Sequence, residues 1–529
     1  MERKWWTLIA VSIAIFMLLL DITVVNVALP SIQRELHSSF ADLQWVVNAY
    51  ALTLAAFLLT AGSIADLFGR RRVFTAGLVV FTCSSAVCGL SDSPLMLNLA
   101  RAVQGVGGAM MFATSLALIA QAFQGRDRGI AFGVFGAVTG AAVAVGPVVG
   151  GIITTGIGWQ WIFFVNVPIG VAAVVLTLMR VTESRDPNAT GVDWLGLVTF
   201  SGSLFLLVYA LEQGNEAGWG STKIVSLLVA SVLLIAAFLV AEMRQQRPML
   251  DLSLFRRHAF TGANIVAFAL SSSIFAMFLY LTLYIQDVLG YGALQAGLRF
   301  LPITMLSFIV APIAGRLTVR VPVRLLLGGG LVLVSGGLLA MTAVEPNSGW
   351  TVLIPGFVLA GAGIGMINPP LASTAIGVVH YSRSGMASGI NSTFRQVGIV
   401  TGIAGLGAIF AHEVSHTVDS KLAASGQSQA VQSAAHGHLS TLLQSGEVGK
   451  VLHALPPAPQ AALEHAYRVG FTEAFTTILA IAAAVALAGA VCAFVLVRSR
   501  DFVSSAEPAA EVPSPEPVGV EAGVGVGVG

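Results

Sequence analysis

Charge is what this 529-residue chain has little of. Asp, Glu, Lys and Arg make up 10% of it and hydrophobic residues 56%, whereas a soluble domain carries roughly 25% charged residues. A soluble enzyme or binding domain is thereby excluded, and a polytopic membrane protein remains. The formal net charge of +1 says nothing about nucleic acid, and no such partner is expected. Cysteine is also scarce. Cys83, Cys88 and Cys492 all fall in apolar runs, without a disulfide framework or metal-ligand spacing, and read as small buried hydrophobes. The chain has no Walker-type lysine motif, which argues against an ATP-driven pump. The first apolar run follows Arg3 and Lys4 but has no persuasive cleavage site, so it reads as an uncleaved membrane helix. Trp5 and Trp6 suit its cytoplasmic interface.

What is present is apolar sequence in spans of about 20 residues, the length that crosses the hydrocarbon. Spans are predicted at 7–29, 44–65, 73–91, 95–122, 129–155, 161–181, 193–212, 222–242, 259–286, 296–316, 323–343, 351–377, 386–411 and 471–497. With fourteen spans, nineteen of the 27 Lys and Arg residues fall on one side, six on the other and two within spans. Basic residues concentrate on the cytoplasmic side, so both termini are expected there. Residues 412–470 read as a polar outer loop with room for short helices, and 503–529 as a disordered tail. Asn188-Ala189-Thr190 matches a glycosylation triplet but falls in a predicted inner loop, where it carries no weight.

The first span runs through a carboxylate, in Leu20-Asp21-Ile22-Thr23-Val24-Val25-Asn26-Val27-Ala28-Leu29-Pro30. A charge near the bilayer centre costs about 2.5–3.5 kcal/mol on insertion scales, so Asp21 needs a partner. The fourth span supplies one: Asn98, Arg101 and Gln104 or Gly105 share a helix face. Asp21 lies nine residues before Pro30, roughly 13 Å below that end at 1.5 Å per residue. Arg101 lies about two turns below its own outer end, a compatible depth. The pair is either a structural ion pair or part of a proton cycle. Gln44 and Asn48 share a face of the second span, for interhelical hydrogen bonds or for a polar cavity patch. Asn48, Tyr50, Asn264, Tyr280, Tyr284 and Asn368 are the candidate cavity residues, being polar or aromatic at membrane depth. Phe275 and Phe278 read equally well as packing.

Gly62-Ser63-Ile64-Ala65-Asp66-Leu67-Phe68-Gly69-Arg70-Arg71-Arg72 forms the first inner loop. Its glycines allow a tight turn, and Asp66 is placed to meet an arginine or a helix N-terminus. Small residues surround Pro147 in Gly146-Pro147-Val148-Val149-Gly150-Gly151, giving a kinked helix with a smooth face. Together, Leu20–Pro30, the Gly62–Arg72 loop, Arg101-x-x-Gln104-Gly105, Gly146-Pro147-x-x-Gly150-Gly151 and Gly385–Gly398 resemble successive signatures of the drug:proton antiporters of the major facilitator superfamily, fourteen-helix branch. Ala142 departs from the usual glycine, and Gly315–Pro322, the second-half counterpart of the loop, lacks an aspartate.

The resemblance implies an all-α fold with fourteen transmembrane helices. A six-helix bundle would occupy 1–182, two inserted helices 183–257 and a second bundle 258–502. It further implies proton-coupled export of hydrophobic, often cationic, small molecules through a bacterial cell membrane, with no enzyme activity, cofactor, metal or obligate protein partner. Protons, the exported molecule and membrane lipids would be the partners. Asp21 and Arg101 would serve coupling or cation binding, Gly62, Asp66, Gly69, Arg70 and Arg71 gating, and Gly146, Pro147, Gly150 and Gly151 conformational change. A narrow exporter of one antibiotic or metabolite is the alternative. A remote one is a metalloprotease, since His412-Glu413-Val414-Ser415-His416 spells HExxH, although it has no obvious third ligand.

Overall fold

The computed structural model describes residues 2–123, 125–185, 191–245, 248, 250–318, 320–378, 384–435, 439 and 455–498. The described residues form helices and no strand, and fourteen stretches are long and apolar enough to cross a membrane. The first six spans are α1 (Arg3–Leu36), α2 (Phe40–Phe68), α3 (Arg70–Gly89), α4 (Pro94–Ala122), α5 (Gly125–Gly156), and α6 (Trp161–Phe164) with α7 (Asn166–Arg180). Next come α8 (Trp194–Ala217) and α9 (Thr222–Arg244). The ninth span is α10 (His258–Leu270) and α11 (Ala276–Leu283), followed by α12 (Ala293–Arg299) with α13 (Leu301–Leu317) and α14 (Val323–Met341). The last are α15 (Ile354–Gly377), α16 (Ser384–Ser425), a short α17 (Ser428–Ala434) and α18 (Pro457–Leu496).

Local chemistry sets the boundaries. Ser39 and Asp42 form a capping box at the head of α2: the Asp42 amide donates to Ser39 Oγ at 3.1 Å, and the Ser39 amide to the Asp42 carboxylate at 2.9 Å. Both bonds satisfy donors that a helix start leaves free. His37 closes α1 in the left-handed region at φ 50°. Pro94 opens α4, where its missing N–H costs nothing. π-helical turns at Ser271–Phe275 and Tyr284–Val288 flank α11; such turns widen the hydrogen-bond ring and frequently mark functional helices.

Two expectations need correction. Pro30 does not end the first helix, which runs on to Leu36. The missing proline N–H is one lost bond in a long apolar helix packed on every side. Where it is described, the expected outer loop 412–470 is mostly continuous with the membrane helices, because α16 continues to Ser425 and α18 begins at Pro457. Its polar residues extend helices already nucleated in the membrane. The extension of α16 is tied to the membrane part of α18 by Thr417, which donates to Glu473 at 3.2 Å, and by the Lys421–Glu473 ion pair at 3.9 Å. The glycosylation triplet and the tail 503–529 lie outside the described residues.

Within the first six spans α2 and α3 pack on α4, and α1 packs on α5; within the last six α13 and α14 pack on α15, and α14 and α16 on α18. Between α8 and α9, Ser203 and Ser231 each donate to the other's carbonyl at 2.8 Å. That reciprocal bond joins the inserted pair without exposing a polar group to lipid. The outward surface of α9 is apolar, with Val225, Val229, Val232 and Leu233 exposed.

The glycines of α5 allow its close approach to α1. A Cβ at Gly150 would stand 2.9 Å from the Val24 carbonyl and 3.0 Å from Val24 Cα, and one at Gly146 would collide with the Thr23 side chain. Gly150→Leu is therefore expected to lower stability by about 1–3 kcal/mol, the usual cost of overpacking. The thermal midpoint of purified protein in detergent measures it; an unchanged midpoint would show that α1 and α5 are not in register here.

Candidate functional site

Asp21 and Arg101 meet in the interior of the first six spans, exposed by only 2% and 1%. Arg101 Nη1 donates to Asp21 Oδ2 at 2.5 Å and to Gln104 Oε1 at 2.8 Å, and its Nε donates to the Val46 carbonyl of α2 at 3.0 Å. Asp21 Oδ1 also accepts from Gln104 Nε2 at 2.9 Å and from Asn166 Nδ2 of α7 at 3.1 Å. A carboxylate with a guanidinium and two amide donors has its acceptor capacity well used. The guanidinium carbon stands 4.2 Å from the Tyr50 ring centroid, a cation–π contact that adds to the enclosure. Asn166 reaches on to Ser85 at 3.1 Å, and Ser85 donates to the Phe163 carbonyl at 2.9 Å. Four helices and the α6–α7 junction are thus joined through one carboxylate.

Spacing alone signalled two members of this network. Arg101 and Gln104 stand at i and i+3, as the fourth-span face requires. Asn166 escaped notice because its segment, Trp159–Gly170, reads as an interfacial aromatic cluster. Val165 keeps helical dihedrals between α6 and α7, and the packing of that span sets the asparagine against Asp21.

The gating-loop residues are held together at the α2–α3 junction. Arg70 pairs with Asp66 at 2.9 Å. Gly69 adopts φ 115°, and a Cβ there would stand 2.7 Å from the Glu183 carboxylate, so only glycine suits the position. Glu183 accepts from the Arg71 amide at 3.0 Å, and Arg71 Nη2 donates to the Leu178 carbonyl at 2.8 Å. The loop is therefore moored to the end of α7 by Glu183, a residue with no sequence signal. Gly62 has open space around its Cα. A Cβ at Gly151 would press on Ala293 and Leu294 of α12 at 2.7 Å, and the Pro147 carbonyl lies against Gly297. Gly146 and Gly150 thus face α1, whereas Gly151 and Pro147 face the second half.

The six cavity candidates are not gathered in one pocket. Tyr50 is buried against Arg101. Asn48 is buried and donates to Glu212 Oε1 of α8 at 2.8 Å. Asn264 accepts from Asn391 at 3.3 Å. Tyr280 donates to the Ile403 carbonyl at 2.7 Å and accepts from Gln44 at 3.1 Å. Tyr284 stacks on Phe475 with centroids 4.9 Å apart. Asn368 alone is half-buried, accepting from Arg395 at 2.7 Å. Lipid offers no hydrogen bonds, so polar groups at this depth pair across helices. Gln44 and Asn48 both make interhelical hydrogen bonds. A cavity of about 280 Å³ opens between α1, α4 and the segment after α7, lined by Arg3, Lys4, Thr7, Leu118 and Gln121 among others. None of the six reaches it. His412 and His416 are exposed and stacked 6.4 Å apart, and the described residues contain no group of three or more potential metal ligands around them; His436 and His438 lie outside those residues.

The family model described as Major Facilitator Superfamily matches residues 11–403, and the chain belongs to that superfamily of transporters. Among its relatives, the tetracenomycin C resistance and export protein of Streptomyces glaucescens is 32% identical over 517 residues, covering 98% of this chain and 94% of the relative. The multidrug resistance protein Stp of Mycobacterium tuberculosis is 37% identical, covering 79% and 78% of the two chains. The puromycin resistance protein pur8 of Streptomyces alboniger is 37% identical over 77% and 82%. The fold matches an inward-facing, unoccupied crystal structure of a bacterial homologue of the human lysosomal transporter Spinster. The TM-score is 0.59 at 18% identity, over 95% of this chain and 99% of that one.

Removing the cation strands the carboxylate. Arg101→Leu is expected to cost about 3–5 kcal/mol, as breaking a buried pair does, and adding Asp21→Asn should recover much of that loss. Thermal unfolding of the single and double variants checks both; equal midpoints for the two would show that the charges are not coupled.

Proposed function

We propose that the chain is a proton-coupled exporter of hydrophobic, often cationic, small molecules, residing in a bacterial cell membrane with both termini cytoplasmic. The observation that carries this reading is the buried Asp21 with Arg101, Gln104 and Asn166 around it, inside a transporter fold. Burial penalises the charged carboxylate, and Arg101 favours it. A change in helix packing that separates the two, or admits water, shifts that balance and moves a proton. Each elementary charge crossing 100 mV is worth about 2.3 kcal/mol, and one pH unit adds about 1.4 kcal/mol. Those terms suffice for uphill export without ATP.

Residues 1–182 and 258–502 would rock as two units about a central path, with 183–257 between them. Bonds across the halves support an outer closure: Gln286 Nε2 donates to the Val27 carbonyl at 2.7 Å, and the Leu294 amide to Thr155 Oγ1 at 3.1 Å. Gln44 Nε2 adds a bond to the Ile403 carbonyl at 3.3 Å. The Asn368–Arg395 pair is the half-buried polar wall best placed to meet a substrate. Asp66, fixed by Arg70, would time the movement of the inner loop.

Asp21→Asn is expected to abolish substrate-driven proton release from proteoliposomes while leaving the protein level intact. Normal efflux with normal proton movement in that variant would remove Asp21 from the mechanism. The names of the two Streptomyces relatives, each referring to a single antibiotic, favour a narrow exporter as the second reading. A panel of lipophilic cations and neutral antibiotics separates the two: one accepted compound supports the narrow reading, several unrelated ones the broad reading.

A further inference from the structure

Glu212 is a second carboxylate at membrane depth, and the cycle built on Asp21 leaves it unused. It projects from the inserted helix α8 into the crease between α2 of the first half and α16 of the second. Ala51, Leu52 and Ala55 of α2, Leu204 and Val208 of α8, and Val400 and Ala404 of α16 form one apolar cluster there. Two polar contacts extend the seam towards its outer end. Asn48 Nδ2 donates to Glu212 Oε1 at 2.8 Å, and Asn215 Nδ2 of α8 donates to the Ala408 carbonyl of α16 at 2.6 Å. Through residues one turn apart, α8 is bonded to both halves.

The hydrogen-bond inventory at Glu212 is incomplete in a particular way. Its Oε2 is buried with no partner, and so is Oδ1 of Asn48, the residue already bonded to its other oxygen. Both orphans are acceptors if the side chain is ionised. Asp21 has an arginine, whereas Glu212 has no basic side chain within ion-pair reach among the described residues. The charged and titratable groups around it do not supply one. Asp42, at the head of α2, is near enough for its negative charge to act on Glu212. Tyr280 of α11 is committed to the Ile403 carbonyl. Lys223 of α9 is turned to Gln213 at 3.3 Å and to the Tyr209 ring. His412, one turn beyond Ala408 on α16, is exposed, and Glu216 follows one turn on in α8 itself. A single proton on the carboxyl group would supply a donor where two acceptors now lack one, and would remove an unpaired charge from the apolar seam.

We infer that Glu212 is a second proton-binding site, occupied while the α2–α8–α16 seam is closed, and that its ionisation favours opening of the seam at the outer end. The inserted helices then sense outer acidity: a proton from outside lets the seam close, and loss of that proton leaves a charge that only water at an opened seam can solvate. This rests on the exporter reading above for the opening and closing, but the proton itself is observable without transport.

The test is infrared spectroscopy of the purified full-length protein in lipid, as a function of pH. Wild type is expected to show a protonated-carboxyl C=O stretching band at neutral pH that titrates away as pH rises. Glu212→Gln, which keeps the bonding shape without the titration, should lack the band, and Asp21→Asn should keep it. If Glu212→Gln fails to insert, Asn48→Ala serves instead, since loss of the amide partner should move the same band to higher frequency. A band identical in wild type, Glu212→Gln and Asn48→Ala, or no such band in wild type, overturns the inference. Substrate exchange in proteoliposomes supplies the functional arm: exchange by wild type should fall as outer pH rises, and exchange by Glu212→Gln should not. Loss of the band in Glu212→Gln with no substrate exchange in any protein would refute the exporter reading and leave the proton site standing. Exchange with an unaltered band would do the reverse.

Discussion

A charge enclosed by helices and lipid must bring its own solvation with it, and Asp21 sets the terms on which the first six spans can pack. Its two oxygens receive Arg101, Gln104 and Asn166 from two other helices, and Arg101 goes on to the α2 backbone. Helices packing in lipid gain no hydrophobic drive from one another, so small residues and satisfied polar contacts decide which faces meet. Here the two devices lie side by side. Within a turn of Asp21, Thr23 and Val24 take the glycine face of α5, so the helix bearing the carboxylate is also the one that packs on the smooth surface. A proton on Asp21 would loosen a knot of bonds beside a contact in which α1 and α5 already approach closely.

Most of the fold was legible because the bilayer imposes a length and a polarity that few other environments demand. All fourteen spans were visible in hydropathy and basic-residue distribution alone. The misreadings share a cause. Proline and polar stretches are strong stop signals in water, yet α1 passes Pro30 and α16 passes His412, because tertiary packing and helix cooperativity outweigh a local breaker. At the site, Asp21 and Arg101 announced themselves by being costly. Asn166 and Glu183 did not, since an asparagine among aromatics and a glutamate in a loop cost nothing until the chain is folded. The six cavity candidates are dispersed among helix contacts for a related reason: a polar side chain at membrane depth marks a need for a partner, and another helix can meet it as a ligand can.

The two inserted helices are more than a spacer in this picture. α8 touches both halves along a seam that alternating access would have to deform, and it does so with one apolar cluster and two hydrogen bonds. The inner loop behaves differently. Glu183 binds it to the end of α7, an element of the same six spans.

The length of α16 and α18 has a mechanical consequence. At 42 and 40 residues they measure roughly 60 Å each at 1.5 Å per residue, about twice the hydrocarbon thickness. Glu473 of α18 holds the far part of α16 through Thr417 and Lys421, and the ends beyond that contact form a stalk standing on the predicted outer side. A rod that pivots in the membrane sweeps a wider arc at its tip than at its fulcrum. A tilt of a few degrees at the seam becomes several ångströms at the stalk, where a binder that never enters the bilayer could register the transporter's state or arrest it.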